Sequence, residues 1–143
     1  MNDIKVIRFD NLHDIELPHV FECGQCFRWN ECEDGSYIGV AGGHAAHVSL
    51  EHDGDSCSLI IECTGGSEKY WHSYFDLDTD YGAMKKALLA GEPKLAKSID
   101  VCHGIRILNQ DYWEVLISFI VSQNNNIPRI KKCIESLAKN YGT

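Results

Sequence analysis

The sequence predicts an α+β fold, an antiparallel sheet followed by helices. Two observations predict it. The first sixty residues alternate apolar and polar positions between Asp-Gly and Gly-Gly turn signals. After Gly65-Gly66 the apolar residues recur at helical spacing instead.

Ile4–Phe9 alternates well enough for a first strand, and Phe27–Asn30 reads as a short second one. A turn at Asp34-Gly35 leads into a strand over Ser36–Val40. Gly42-Gly43 then precedes Ala45–Glu51, whose Ala46, Val48 and Leu50 share a face. Asp53-Gly54-Asp55 closes the next hairpin, and Cys57–Glu62 returns. Such dipeptides mark tight hairpins because Gly accepts the positive φ that the turns require.

Ser67 is placed to cap a short helix over Ser67–Phe75. A second helix spans Asp78–Ala90 and stops at Gly91, and Pro93 opens a third toward Val101. Asp111 caps the next, with Glu114 three residues on completing a capping box. Its body (Trp113, Val115, Leu116, Ile117, Phe119, Ile120, Val121) is apolar on all sides, so it needs neighbours on every side. Few remain in a chain of 143 residues, so partner helices are expected beyond Thr143. Asn126 caps the last helix, with Pro128 in its first turn, a stripe of Ile127, Ile130, Ile134, Leu137 and Tyr141, and a stop at Gly142. The expected division is a sheet unit over residues 1–66 and a helical segment over residues 67–143.

The longest apolar run, Val115 to Val121, is broken by Ser118 and falls short of the about 18 residues a membrane helix needs. Met1-Asn2-Asp3-Ile4-Lys5 lacks the basic-then-apolar pattern of a signal peptide. No membrane partner and a cytoplasmic location are therefore expected. The seven cysteines then read as reduced thiols. Net charge is −8, which argues against nucleic acid until its distribution is seen. Residues 104–143 carry five basic and three acidic residues, whereas residues 1–103 carry eight and eighteen. Any contact with phosphates is expected toward the C-terminal end.

Two segments carry candidate chemistry. In Ser118–Arg129 an apolar helix runs into Ser122-Gln123-Asn124-Asn125-Asn126 and then into a basic helix. Amide side chains offer donors and acceptors suited to base edges, and a helix start aims free N–H groups outward. Composition alone favours a plain helix connection whose Asn residues cap helix ends. The second segment is Cys23-Gly24-Gln25-Cys26-Phe27-Arg28-Trp29. A single Cys-x-x-Cys without a matching second pair is a weak metal signal, and Cys32, Cys57 and Cys63 stand at no ligand spacing. No metal or other cofactor is expected, and Phe27 and Trp29 read as core.

The loop resembles the Ser-Phe-Ile-x-Ser-x-Asn-Asn-Asn-Ile-x-Arg signature of the 8-oxoguanine DNA glycosylases. Cys23–Trp29 resembles that family's Ser-Gly-Gln-Ser-Phe-Arg-Trp run, with Cys at both Ser positions. Tyr74-Phe75-Asp76-Leu77-Asp78 and Gly104–Asp111 resemble two further family segments, read here as structural, with Asp78, Gln110 and Asp111 as caps. The four occur in family order from about Phe21 to Gly142.

The resemblance implies a TBP-like antiparallel sheet domain followed by the first helices of a helix-hairpin-helix glycosylase domain, left incomplete here. It implies base-excision repair: flipping and excision of 8-oxoguanine opposite cytosine, with lyase chemistry. It places Asn124 in the space vacated by the lesion, and Arg129 with Asn124 on the orphaned cytosine. It places the Gly24 carbonyl on N7–H of 8-oxoguanine. Asn125 and Asn126 join them as DNA-binding candidates, with Gln25, Phe119 and Gln123 in support. The partner implied is double-stranded DNA with 8-oxoguanine opposite cytosine, bound by a monomer, at the nucleoid if bacterial.

The family's Lys nucleophile and its Asp lie in or after a Gly-rich hairpin run that these 143 residues lack. No lysine here is nominated as catalytic, because Lys85, Lys86, Lys94, Lys97, Lys131, Lys132 and Lys139 sit in charge-rich helical surroundings. The chain alone is expected to be inactive. Two rival readings are a non-catalytic DNA-binding or interaction module derived from a glycosylase, and a small metal protein built on Cys23 and Cys26.

Overall fold

The computed structural model describes residues 4–142. Met1-Asn2-Asp3, read above for a leader, lies outside them. Five strands form one antiparallel sheet: β1 (Lys5–Leu12), β2 (Trp29–Glu31), β3 (Tyr37–Ala41), β4 (His44–Asp53) and β5 (Ser56–Cys63). Their spatial order is β1-β5-β4-β3-β2. The register aligns Ile7 with Ile61, Ile61 with Val48, and Val48 with Tyr37. All four are buried, forming an apolar row across the inner face. Strand alternation therefore sends Arg8, His47 and Glu62 to the other face.

The second strand starts at Trp29, two residues later than the pattern suggested. Phe27 belongs elsewhere, packed against Ile130 and Ile134. Trp29 pairs with Gly39, whose missing side chain admits the indole. A Cβ there would stand 2.6 Å from the ring and 2.5 Å from the Arg28 carbonyl oxygen.

Short α1 (Leu17–Phe21) and α2 (Glu68–Tyr74) cover the inner face. Phe21, Trp29, Tyr37, Trp71, Tyr74 and Phe75 form one aromatic core with the sheet. Secondary structure changes at Gly65-Gly66, but this core runs through the change and includes Leu108. Ser67 caps α2 by accepting from the Tyr70 N–H.

Beyond α2, α3 (Tyr81–Gly91) begins three residues later than expected. The Asp76–Thr79 turn, closed by Thr79 N–H to the Asp76 carbonyl, delays it. Asp80 is the cap, not Asp78, and Gly91 is the last helical residue. The helix expected from Pro93 divides into a 3-10 turn (Pro93–Leu95) and α4 (Ala96–Val101).

The last two helices are α5 (Tyr112–Ser122) and α6 (Ile127–Tyr141). Asp111 caps α5 through the N–H groups of Trp113 and Glu114. The reciprocal half of the capping box is missing: the Glu114 carboxylate turns to Arg28 at 3.5 Å. On α5 only Ser118 is buried, and Trp113, Leu116, Phe119 and Ile120 are exposed. Among the described residues, α6 is its main helical neighbour. On α6 the expected stripe is only partly enclosed, with Ile130 and Ile134 buried and Tyr141 exposed. No described helix is long and apolar enough to cross a membrane.

Candidate nucleic-acid interface

Five polar residues join α5 to α6, and four of them fold the connection. Ser122 Oγ donates to the Phe119 carbonyl at 2.8 Å, and Gln123 Nε2 donates to the same oxygen at 3.2 Å. Asn125 reaches back to the Val121 carbonyl at 3.0 Å and accepts from the Asn126 N–H at 3.0 Å. Asn126 caps α6 by accepting from the Arg129 N–H at 3.1 Å. Side chains that close such local rings are the usual partners of exposed helix ends.

Asn124 is different. Its φ is +52°, in the left-handed region where Asn is among the few tolerated residues. Its side chain is exposed, with no hydrogen bond among the described residues. The loop therefore presents one unspent amide at its crest. Arg129, in the first turn of α6, is exposed and in no ion pair among the described residues. Phe119 is 63% exposed on the last turn of α5.

Gly24 lies against this loop. It is exposed, has φ +86°, and a Cβ there would meet Ile127 Cδ1 at 4.0 Å. Among the described residues its carbonyl accepts no hydrogen bond. Gln25 holds that turn rigid from below. Its Nε2 donates to the Val20 and Arg106 carbonyls, both at 2.8 Å, and its Oε1 accepts from the Leu108 N–H at 2.9 Å. Its own carbonyl accepts from Gln110 Nε2 at 2.7 Å, so Gln110 clamps this turn and is not a helix cap. Arg106, 5% exposed, donates to the carbonyls of His13 and Asp76, both at 2.9 Å. It locks the approach to α5 onto the sheet.

The two motif cysteines pack as the hydroxyls they replace would. Cys23 Sγ donates to the Val20 carbonyl at 3.4 Å and Cys26 Sγ to that of Phe21 at 3.9 Å. Burial pushes the Cys26 thiol up to about 12, which leaves it a poor ligand and nucleophile.

Sequence reading missed the two ties that seat the helix pair. Arg28 pairs with half-buried Glu114, whose carboxyl burial shifts upward while Arg28 opposes the shift. Lys131 donates to the Trp29 carbonyl at 2.9 Å and to Glu22 at 3.1 Å. Lys131 is therefore not solvent-exposed as expected, and neither is Lys85, which pairs with Asp14 and the His103 carbonyl. Arg28 stood inside the recognised Cys23–Trp29 run, so the run itself was the available signal.

Residues 7–116 match the family described as 8-oxoguanine DNA glycosylase, N-terminal domain. The chain belongs to this family. A curated relative is the N-glycosylase/DNA lyase OGG1 of Arabidopsis thaliana, 27% identical over 125 residues. That alignment covers 85% of this chain but 34% of the relative. Among solved structures, MBOgg1 in complex with a low affinity DNA ligand shares 46% identity at a TM-score of 0.88. It covers 99% of this chain and 49% of its own. The Clostridium acetobutylicum 8-oxoguanine glycosylase/lyase, in complex with double-stranded DNA containing cytosine opposite 8-oxoguanine, shares 39% at a TM-score of 0.82. It covers 100% of this chain and 50% of its own. The chain thus spans about a third of that curated relative and half of these two structures. The Asn-rich loop lies beyond the family match but within the structural one.

Proposed function

We propose that this chain forms the DNA-reading front of a base-excision glycosylase/lyase that removes 8-oxoguanine paired with cytosine. The observation that carries this reading is that Asn124, whose amide has no hydrogen bond among the described residues, lies three residues before Ile127, the side chain that Gly24 lies against. Extruding a base from the duplex costs a few kcal/mol, and side chains must fill the gap it leaves. Asn124 enters that gap and, with Arg129, contacts the orphaned cytosine. The start of α6, with Arg129 and Lys132 in no ion pair among the described residues, supplies positive potential for the phosphates.

The Gly24 carbonyl distinguishes the lesion. An acceptor there welcomes the N7–H of 8-oxoguanine and meets the bare N7 of guanine lone pair to lone pair. Gln25 fixes the turn that aims it. Gln123, Asn125 and Asn126 shape the loop, and Phe119 offers an apolar flank beside it. In this reading the protein acts as a monomer on duplex DNA in the cytoplasm, at the nucleoid if the cell is bacterial.

The nucleophile is not among these residues. A Schiff-base Lys needs a desolvated or cation-flanked site. Lys85 and Lys131 are engaged with acids, and Lys5, Lys69, Lys86, Lys94, Lys97, Lys132 and Lys139 are exposed. The test is borohydride reduction in the presence of duplex bearing 8-oxoguanine opposite cytosine. The full-length Clostridium glycosylase/lyase serves as control. The control is expected to form a covalent adduct and this chain none. An adduct on this chain would overturn the assignment of the chemistry elsewhere.

A further inference from the structure

On the sheet face turned away from the core, the turn between β2 and β3 stands over β4. It brings Cys32, Asp34 and His47 together, with one ligand atom of each lying within 4.8 Å of the others. The turn is closed by Cys32 N–H to the Ser36 carbonyl at 2.8 Å and Gly35 N–H to the Cys32 carbonyl at 3.0 Å. Pairing of β4 with β5 sets Glu62 directly beside His47, and His47 Nδ1 meets Glu62 Oε2 at 2.9 Å.

Both ring nitrogens of His47 meet an oxygen partner, one on each side of the ring. Glu62 as a carboxylate only accepts, so His47 Nδ1 carries the hydrogen. The single Ser36 hydroxyl hydrogen goes to Asp34. His47 Nε2 sits 2.8 Å from that same Ser36 oxygen. Cys32 and Asp34 bring their ligand atoms within 4.8 Å of a His47 ring nitrogen. With Nδ1 turned to Glu62, Nε2 is the nitrogen placed to ligate a cation. A carboxylate behind a ligating imidazole is the common way of fixing its tautomer and raising its basicity.

We propose that Cys32, Asp34 and His47 bind a divalent transition metal of the zinc type, oriented by Glu62 and separate from the DNA-reading end. One thiolate, one carboxylate and one imidazole form a mixed donor set of the kind zinc accepts, with water in the fourth position. Binding displaces the Ser36 hydroxyl from Nε2 and releases the Cys32 thiol proton to solvent. Half-buried Cys32 and exposed Asp34 can close the remaining distance by side-chain rotation. Sequence spacing pointed instead at Cys23 and Cys26, whose thiols are occupied with backbone carbonyls.

Cobalt(II), which reports thiolate ligation by a near-ultraviolet charge-transfer band, is the probe. The purified chain is expected to bind one equivalent with that band. Cys32→Ser abolishes the band and Cys23→Ser retains it. Asp34→Asn, in an exposed turn whose hydrogen bonds Asn can keep, weakens binding at least tenfold. Glu62→Gln weakens it about 10–100-fold while keeping the band. No band, a band that survives Cys32→Ser, or one lost with Cys23→Ser would overturn the proposal.

Discussion

Gly24 and Ile127 stand in contact range across 103 residues of sequence, with 4.0 Å from a Cβ built at Gly24 to Ile127 Cδ1. Space therefore does not demand glycine at position 24; backbone conformation does, since φ is +86°. Gly24→Ala is expected to lower stability by about 1–2 kcal/mol through that strain alone. Re-aiming the carbonyl should also narrow the preference for 8-oxoguanine over guanine. Urea unfolding reads the first effect, and paired titrations with lesion and normal duplex read the second. Unchanged stability and unchanged selectivity together would remove Gly24 from the account.

The three loop asparagines separate by what their side chains do. Asn126→Ala removes a helix cap and is expected to lower stability by about 1 kcal/mol. Asn125→Ala loses bonds to the Val121 carbonyl and the Asn126 N–H and falls by a similar amount. Asn124→Gly, at φ +52°, is expected to leave stability unchanged within about 0.5 kcal/mol. Thermal unfolding of the three variants side by side checks the order.

Gln25 binds three backbone groups with one amide. Gln25→Ala strands the Leu108 N–H and the Arg106 carbonyl and leaves the Val20 carbonyl with the Cys23 thiol alone. An expected loss of about 2–3 kcal/mol follows, because buried polar groups left unpaired are penalised beyond the bond itself. Gln25→Glu returns the acceptor toward Leu108 but faces two carbonyls with an anion, so it should not rescue. Denaturant midpoints at constant slope measure both.

The elements written locally were the legible ones. Ser67, Asp111 and Asn126 could be named as caps because the groups they satisfy lie two or three residues away. The hairpins followed from Asp-Gly and Gly-Gly pairs and a period of two. What stayed hidden depends on distant partners. Lys131 meets Trp29 across 102 positions and Lys85 meets Asp14 across 71, so neither could be distinguished from a solvated lysine. Glu114 carried a correct capping-box spacing, but Arg28 captures its carboxylate from 86 residues away. The Asn loop was recognisable as a motif, yet only the folded backbone and side-chain bonds separate Asn124 from its two neighbours.

Burial predicts alkaline sensitivity. The Cys26 thiol moves from 9.0 to about 12, and burial likewise moves the Tyr37 phenol from 10.0 to about 12. Both groups keep their protons in the folded chain at pH values where the unfolded chain has lost them. Stability is therefore intact below about pH 9 and falls as pH rises toward 12. The slope reaches at most about 1.4 kcal/mol per pH unit for each group. Cys26→Ala should flatten the first part of that fall. Denaturation at pH 8, 9.5 and 11 gives the profile, and a stability that rises over this range would contradict it.

Asn124 is proposed as the residue this fold offers to DNA. Fluorescence anisotropy with duplex carrying 8-oxoguanine opposite cytosine tests it directly, comparing the chain with Asn124→Gly, which keeps the left-handed backbone at φ +52° without strain. Unchanged folding and affinity about 5- to 100-fold weaker are expected, the scale of one good polar contact to a base. Equal affinity of the two proteins for that duplex would contradict it.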